Sequence, residues 1–130
     1  MPRLAIPSLF ALVLAIHGVA VGGEREALLL ELTTAANAAN LSVEGDSCRF
    51  TSKAQHVLTC KLSGFDERAS RPALTSVGWS YDGKENLKEW FVTTGEIHSF
   101  RKPHLLLQFF CKPNGVIGSI AADLQWLQLR

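Results

Sequence analysis

Apolar side chains recur at helical spacing along residues 24–39, just after an apolar N-terminal run. Glu24 and Glu26 come first, and acidic residues stabilise the first turn of a helix through its dipole. Asn40 is a residue type that often ends a helix. The segment therefore predicts a helix over residues 24–39, whose alanine-rich second half can lie close against a sheet. Its apolar stripe consists of Leu28, Leu32, Ala35, Ala36 and Ala39.

Downstream of this helix the apolar pattern changes to a period of two, which is typical of half-buried strands. A hairpin that turns at residues 53–55 places Phe50 opposite Leu58 and Cys48 opposite Cys60. Directly opposed residues share one face of an antiparallel pair. The register therefore predicts a disulfide between Cys48 and Cys60, although the turn lacks the Asn-Gly or Asp-Gly pair that favours a tight hairpin.

The middle of the chain alternates less regularly. Residues 63–72 are polar and predict a connection, whereas residues 74–81 alternate as a strand does. The pair Asp82-Gly83 then predicts a turn. Residues 84–94 fit either a short helix or a strand, and both interpretations stay open.

The C-terminal part of the chain predicts the centre of the sheet. Residues 104–111 are rich in Leu and Phe, as a central strand is, and residues 116–122 return as the partner strand. Between them, residues 112–115 join a Pro, which presets φ, to an Asn-Gly pair, which tolerates positive φ. Residues 123–129 predict a last strand. The pattern as a whole predicts an α+β fold: one N-terminal helix packed on an antiparallel sheet of about five strands, in a single small domain.

The N-terminal residues predict a signal peptide. Arg3 gives a positive start, and residues 4–16 form an apolar run that is long enough for a signal-peptide core and short for a membrane span. Small side chains at Gly18 and Ala20 fit the positions that a signal peptidase reads.

Cleavage after Ala20 is the first choice, with cleavage after Gly22 or Gly23 as alternatives. Residues 1–20 are then the leader and residues 21–130 the exported domain. That domain is expected to be secreted or periplasmic, with no stable membrane span after the leader is removed.

The charge balance excludes one class of partner. Thirteen Lys and Arg residues stand against twelve Asp and Glu residues, and removing the leader takes away Arg3 and no acid. A neutral domain has no basic stripe to attract phosphates. No nucleic-acid partner is therefore expected.

The cysteines agree with export. Cys48, Cys60 and Cys111 are three, so at most one intramolecular disulfide forms, and oxidising compartments favour it. The competitor of the Cys48–Cys60 bond is a Cys60–Cys111 bond, which would join distant strands. With the first pairing, Cys111 is an unpaired thiol on the strand face of Leu107 and Phe109, where burial makes a thiol inert.

Candidate chemistry is sparse. His56, His98 and His104 lack partners at the spacing of helical metal ligands, and a metal site needs three or four convergent donors. His98 and His104 also flank Arg101 and Lys102, whose charges oppose a bound cation. We therefore expect surface histidines, no metal, no cofactor and no catalytic residue.

Two further features concern the surface. The adjacent pairs Trp90-Phe91 and Phe109-Phe110 cannot each point to one face of a strand, so Trp90 and Phe110 are candidate binding aromatics. Asn40 begins an Asn-Leu-Ser triplet that fits the N-glycosylation pattern, which has meaning only in a eukaryotic source.

Two stretches of the chain resemble VirK-like proteins, which are small exported products encoded beside virulence genes in plant-associated bacteria. They are residues 28–48 (LLLELTTAANAANLSVEGDSC) and residues 110–116 (FCKPNGV). Residues 52–81 depart from the family pattern because they lack its glycine-rich strand, and Cys60 is extra. The resemblance implies an exported, virulence-associated protein of unknown activity, with no catalytic residues to carry over.

The sequence thus predicts a small exported, non-enzymatic protein that binds an unidentified protein partner. The alternative is a small secreted hydrolase or thiol enzyme. A pocket that gathers Ser80, an acid and either His98 or His104 would favour this alternative, as would Cys111 beside a histidine base.

Overall fold

A computed structural model describes residues 16–52, 56–89 and 94–128 of the chain. The helices are α1 (Ile16–Ala38), α2 (Glu67–Ser76) and α3 (Leu124–Gln128). The strands are β1 (Ser42–Val43), β2 (Arg49–Ser52), β3 (Val57–Ser63), β4 (Ser80–Asn86), β5 (Glu96–Lys102), β6 (Leu105–Lys112) and β7 (Gly115–Ala122). Single 3₁₀ turns lie at Gly45–Ser47 and Leu87–Glu89.

The strands form one antiparallel sheet in the order β1-β3-β7-β6-β5-β4, with β2 also paired to β3. The predicted α+β class is confirmed, with an N-terminal helix on an antiparallel sheet. In the described residues the sheet has seven strands rather than about five. The difference comes from β5, which the sequence analysis did not predict, and from the short strand β1.

Helix α1 extends further toward the N-terminus than the predicted helix. It begins at Ile16, so Glu24 and Glu26 lie after its first two turns in the full chain. Its end agrees with the prediction, because Asn40 has a φ of 65°. The Leu41 N–H donates to the Ala36 carbonyl at 2.8 Å, which closes the helix end in the manner of a Schellman motif.

The predicted apolar stripe of α1 is the part of the helix that packs on the sheet, and all of it is buried. Its small residues permit a close approach to β7. A Cβ atom built at Gly118 would lie 2.5 Å from Leu62 Cδ1 and 3.6 Å from Leu32 Cδ1. A larger residue at position 118 would therefore require the Leu62 side chain to shift where the helix crosses the sheet.

The β2–β3 hairpin has the predicted register. Phe50 pairs with Leu58, and Cys48, just before β2, forms a disulfide with Cys60. Their Cα atoms are 4.1 Å apart, and both cysteines are buried. The predicted turn at residues 53–55 lies outside the described residues.

The prediction for residues 63–83 is wrong in two places. Residues 67–76 form α2, not a connection followed by a strand. Asp66 caps this helix by accepting a hydrogen bond from the Arg68 N–H at 3.2 Å. Pro72 lies inside the helix, where the sequence analysis placed the end of a loop. The predicted turn at Asp82-Gly83 is a bulge within β4.

The C-terminal prediction is correct up to β7. Strand β6 lies inside the sheet, and a turn after Lys112 joins it to β7. Residues 124–128 form a helix, so the predicted last strand is wrong. Asp123 caps this helix by accepting a hydrogen bond from the Trp126 N–H at 2.9 Å, and the Trp126 side chain is buried in the core.

Candidate functional site

The two faces of the sheet differ in what covers them. The core cluster joins the inward side chains of the sheet to buried residues of α1, α2 and α3. The adjacent residues Phe109 and Phe110 lie on opposite faces of the sheet. Phe109 is fully buried in this core, whereas Phe110 points to the opposite side and is half-buried. We call that opposite side the outer face.

Strand pairing defines three rows of side chains across the outer face, each running from β4 to β3. The first row is Glu85, Ile97, Phe110, Ile117 and Lys61. The second row is Gly83, Ser99, Gln108, Ser119 and Thr59. The third row is Ser80, Arg101, Leu106, Ala121 and Val57.

The centre of the outer face is apolar and uncharged. Phe110, Ile117 and Leu106 are half-buried, and Ile97 is 5% exposed. In the second row the Gln108 amide donates a hydrogen bond to Ser99 Oγ at 3.1 Å. Apolar and uncharged polar side chains are the composition of an interface core rather than of a charged surface.

Of the two candidate binding aromatics, the structure describes the position of one. Phe110 lies at the centre of the outer face, as the argument from alternating strand faces expected. Trp90 lies outside the described residues. Asn40 is exposed at the end of α1, and its glycosylation stays a prediction.

A second candidate site lies on the inner face around His98. This side chain is 2% exposed, so the expectation of a surface histidine is wrong. Strand β5 pairs His98 with Phe109 on one side and with Lys84 on the other, which directs it under α2. The Phe65 ring packs against it with centroids 5.0 Å apart.

Both imidazole nitrogens of His98 have partners. Nε2 lies 3.1 Å from Glu96 Oε1, and Nδ1 lies 3.4 Å from the Tyr81 hydroxyl. A neutral imidazole satisfies both contacts when Nε2–H donates to the carboxylate and Nδ1 accepts from the tyrosine. Burial is the main cause that raises the pKa of Tyr81 above 10.0, so this hydroxyl keeps its proton at neutral pH.

Glu67 completes this polar cluster. Ligand atoms of Glu67, Glu96 and His98 lie within 4.8 Å of one another, a set of donors that suits a divalent cation. However, Lys84 Nζ already lies 3.6 Å from Glu67 and 3.7 Å from Glu96. Glu67 and then Glu96 raise the pKa of Lys84, so its ammonium group supplies the positive charge between these carboxylates.

Cys111 lies beside this cluster and forms no disulfide with a described residue. It is half-buried rather than buried, because β6 ends there at an open groove of about 640 Å³ lined by Lys84, Lys88 and Glu96. Burial first, and then the charges of Glu96 and Glu67, raise the pKa of this thiol to about 11.

The other candidate catalytic residues, His56, His104 and Ser80, do not join the cluster around His98. His56 pairs with Glu24, and His104 Nδ1 lies 2.7 Å from Asp123 Oδ2. Ser80 pairs with Arg101 near the start of β4, several residues from the Lys84–His98 pair. The structure therefore places His56, His98 and His104 each beside an acid, and it does not place Ser80 beside any of them.

Four members of the polar cluster were not predicted from the sequence: Glu67, Tyr81, Lys84 and Glu96. The spacing of two residues between Glu96 and His98 would put them on one face of a strand, but residues 96–102 were not predicted to form a strand. Glu67 and Lys84 join the cluster only through the tertiary packing of α2 on β4.

Comparison of the chain with protein-family models, curated proteins and solved structures finds no match. In the described part of the chain, no helix combines the length and apolar character that crossing a membrane requires.

Proposed function

We propose that this chain is a small exported, non-enzymatic protein that binds a protein partner through the outer face of its sheet. The observation that carries the proposal is the position of Phe110. A large aromatic side chain, only half-buried, stands at the centre of an uncharged and mainly apolar face, while the helices pack on the other side. Central aromatic side chains of this kind dominate protein-binding energy.

The packing of α1 supports export. Among the α1 residues whose side chains the structure describes, 23–38, the buried core residues begin at Leu28, downstream of the candidate cleavage positions Ala20, Gly22 and Gly23. Loss of the leader therefore leaves the stripe that packs on the sheet intact. The Cys48–Cys60 disulfide also suits an oxidising compartment.

The resemblance to VirK-like proteins extends this proposal to a virulence-associated role. The matching stretch 28–48 includes the core stripe of α1, and the matching stretch 110–116 begins at Phe110. The second stretch thus includes the central residue of the proposed binding surface.

The enzyme alternative gains less support from the geometry. A thiol with a pKa of about 11 is almost fully protonated at neutral pH, and the thiolate is the nucleophilic form. Both ring nitrogens of the buried His98 already have partners in Tyr81 and Glu96, and Lys84 lies beside the Glu96 carboxylate. This polar cluster therefore stabilises the packing of α2 on the sheet in our proposal.

The proposal can be tested by photo-crosslinking in the organism that makes the protein. Benzoylphenylalanine replaces Phe110 in one variant and Val77, which is 45% exposed at the end of α2, in the control variant. We expect a discrete protein adduct in the exported fraction from position 110 and none from position 77. Equal adducts from both positions, or none from position 110, would overturn the outer face as the binding surface.

A further inference from the structure

We infer that the partner of the outer face is a second copy of this chain, packed sheet against sheet around a twofold axis parallel to β6. This inference rests on the proposed function, because it names the occupant of the same face. It comes from the order of residues along the first two rows, which is nearly the same read in either direction.

The first row is self-complementary around Phe110. From β4 to β3 it reads Glu85, Ile97, Phe110, Ile117 and Lys61. A twofold axis along β6 brings the two ends of the row together across the interface. Phe110 then faces Phe110 of the second copy and Glu85 faces Lys61, whereas Ile97, which is 5% exposed, lies beneath the surface that faces Ile117.

The second row repeats this symmetry. It reads Gly83, Ser99, Gln108, Ser119 and Thr59, so the same axis places Ser99 opposite Ser119 and Gln108 opposite Gln108. Small hydroxyl and amide side chains on both sides can exchange hydrogen bonds without burying a charge. The third row does not share this symmetry: Leu106 lies on the axis, but Arg101, whose Nε donates to Asp82 within its own chain at 2.7 Å, lies opposite Ala121.

The charges at the ends of the first row are complementary in this arrangement, while Lys112 at the end of β6 faces its own copy across the axis. Glu85 and Lys61 are exposed, and neither forms an ion pair with a described residue. A symmetric interface contacts the same patch on both subunits, so a surface that pairs with itself must carry complementary groups at symmetry-related positions. Glu85 and Lys61 satisfy that requirement at the two ends of one row.

The size of the face sets the expected strength of the dimer. Five strands spaced by about 4.8 Å and roughly seven residues long give a face of about 500 Å² on each copy. The total of roughly 1,000 Å² is the lower limit of a specific interface, and Ile97 is already buried in the single copy. We therefore expect a dimer that dissociates on dilution, with its sheets about 10 Å apart.

The test uses charge reversal and sedimentation equilibrium of the exported protein. Glu85→Lys and Lys61→Glu each replace two attractive contacts per dimer by two repulsive ones, so we expect roughly a tenfold increase in the dimer Kd. The double variant Glu85→Lys/Lys61→Glu restores opposite charges and should return the Kd to within about twofold of the wild-type value. Glu26→Lys and Arg68→Glu, which change exposed charges on the helical side, should leave it unchanged.

A second measurement checks the axis. In a Cys111→Ser background, Gln108→Cys places identical thiols near the axis, and a bismaleimide about 10 Å long should join them. The same reagent should not join Thr75→Cys on α2.

Three results would overturn the second copy as partner. They are a monomer at all concentrations, single charge reversals that leave the dimer Kd unchanged, and a double variant whose dimer Kd stays as high as that of the single variants. If the wild-type protein stays monomeric while position 110 crosslinks to a different protein, the proposed function stands and this inference fails.

Discussion

Phe109 and Phe110 are neighbours in sequence and lie on opposite faces of the same strand. The Phe109 ring is fully buried and stacks on Phe65 with centroids 4.9 Å apart. Phe110 faces outward between Ile97 and Ile117 and remains half-buried. The first side chain therefore belongs to the core, and the second belongs to the proposed binding surface.

This difference in burial predicts that replacing each phenylalanine by alanine lowers the free energy of unfolding by a different amount. Phe109→Ala should lower the free energy of unfolding by about 3–5 kcal/mol, because it leaves a cavity in a packed core. Phe110→Ala should lower it less, by about 1–3 kcal/mol in the monomer, since its side chain is only partly buried. Urea unfolding at a concentration that keeps the protein monomeric measures both values. Equal losses would show that the outer face is covered in the monomer.

The disulfide predicts a second stability effect. Reduction, or the double variant Cys48→Ser/Cys60→Ser, opens a loop with a sequence separation of 12 and should cost on the order of 3 kcal/mol. Non-reducing peptide mapping should recover one linked pair of peptides, containing Cys48 and Cys60. Recovery of Cys111 in a linked peptide would contradict the hairpin register.

The hairpin was predictable because its evidence is local. Phe50, Leu58 and the two cysteines lie within a few residues of one turn, and a period of two fixes their face. The stripe of α1 was predictable for the same reason. Helix α2 was not, because Pro72 and the alternation of Val77 and Trp79 imitate a loop followed by a strand.

The polar cluster around His98 was not predictable from the sequence. Its members come from α2, β4 and β5, and they meet only when α2 packs over the edge of the sheet. The outer face was predictable in part. Alternation placed Phe110 away from the core, but the matching order of the rows depends on strand pairings between distant segments.

Cys111 should react slowly and in a pH-dependent way. Because its pKa is raised to about 11, the thiolate fraction at pH 7–8 is very small, and it grows as the pH approaches 11. The rate of iodoacetamide labelling of the native protein should therefore rise through this range, and Cys111→Ser should abolish it. A rate that levels off below pH 9 would contradict the effect of burial.

The thiol also affects stability at high pH. Its folded pKa of about 11 exceeds the ordinary value of 9.0, so the folded state holds the proton more tightly. The stabilisation is fully present below pH 9 and is lost as the pH rises from about 9 to 11. The free energy of unfolding of the wild-type protein should fall more steeply across this window than that of Cys111→Ser.

Export predicts a new N-terminus. Expressed with residues 1–20 in cells with a secretory pathway, the chain should lose about twenty residues. Mass spectrometry of the exported product should find an N-terminus between Val21 and Glu24, which preserves the core stripe that begins at Leu28. An intact chain that starts at Met1 and stays in the membrane would contradict export.

The central claim is that the outer face binds protein, and the native mass of the exported protein tests it most directly. Wild-type protein, measured by light scattering after gentle extraction of the exported fraction, should have a mass above that of one mature chain. Phe110→Asp places a charge at the centre of the face and should give the mass of a single folded chain. Val77→Asp, on the helical side, should match the wild type. A wild-type mass of one chain together with no protein adduct from position 110, or an unchanged mass for Phe110→Asp, would contradict the claim.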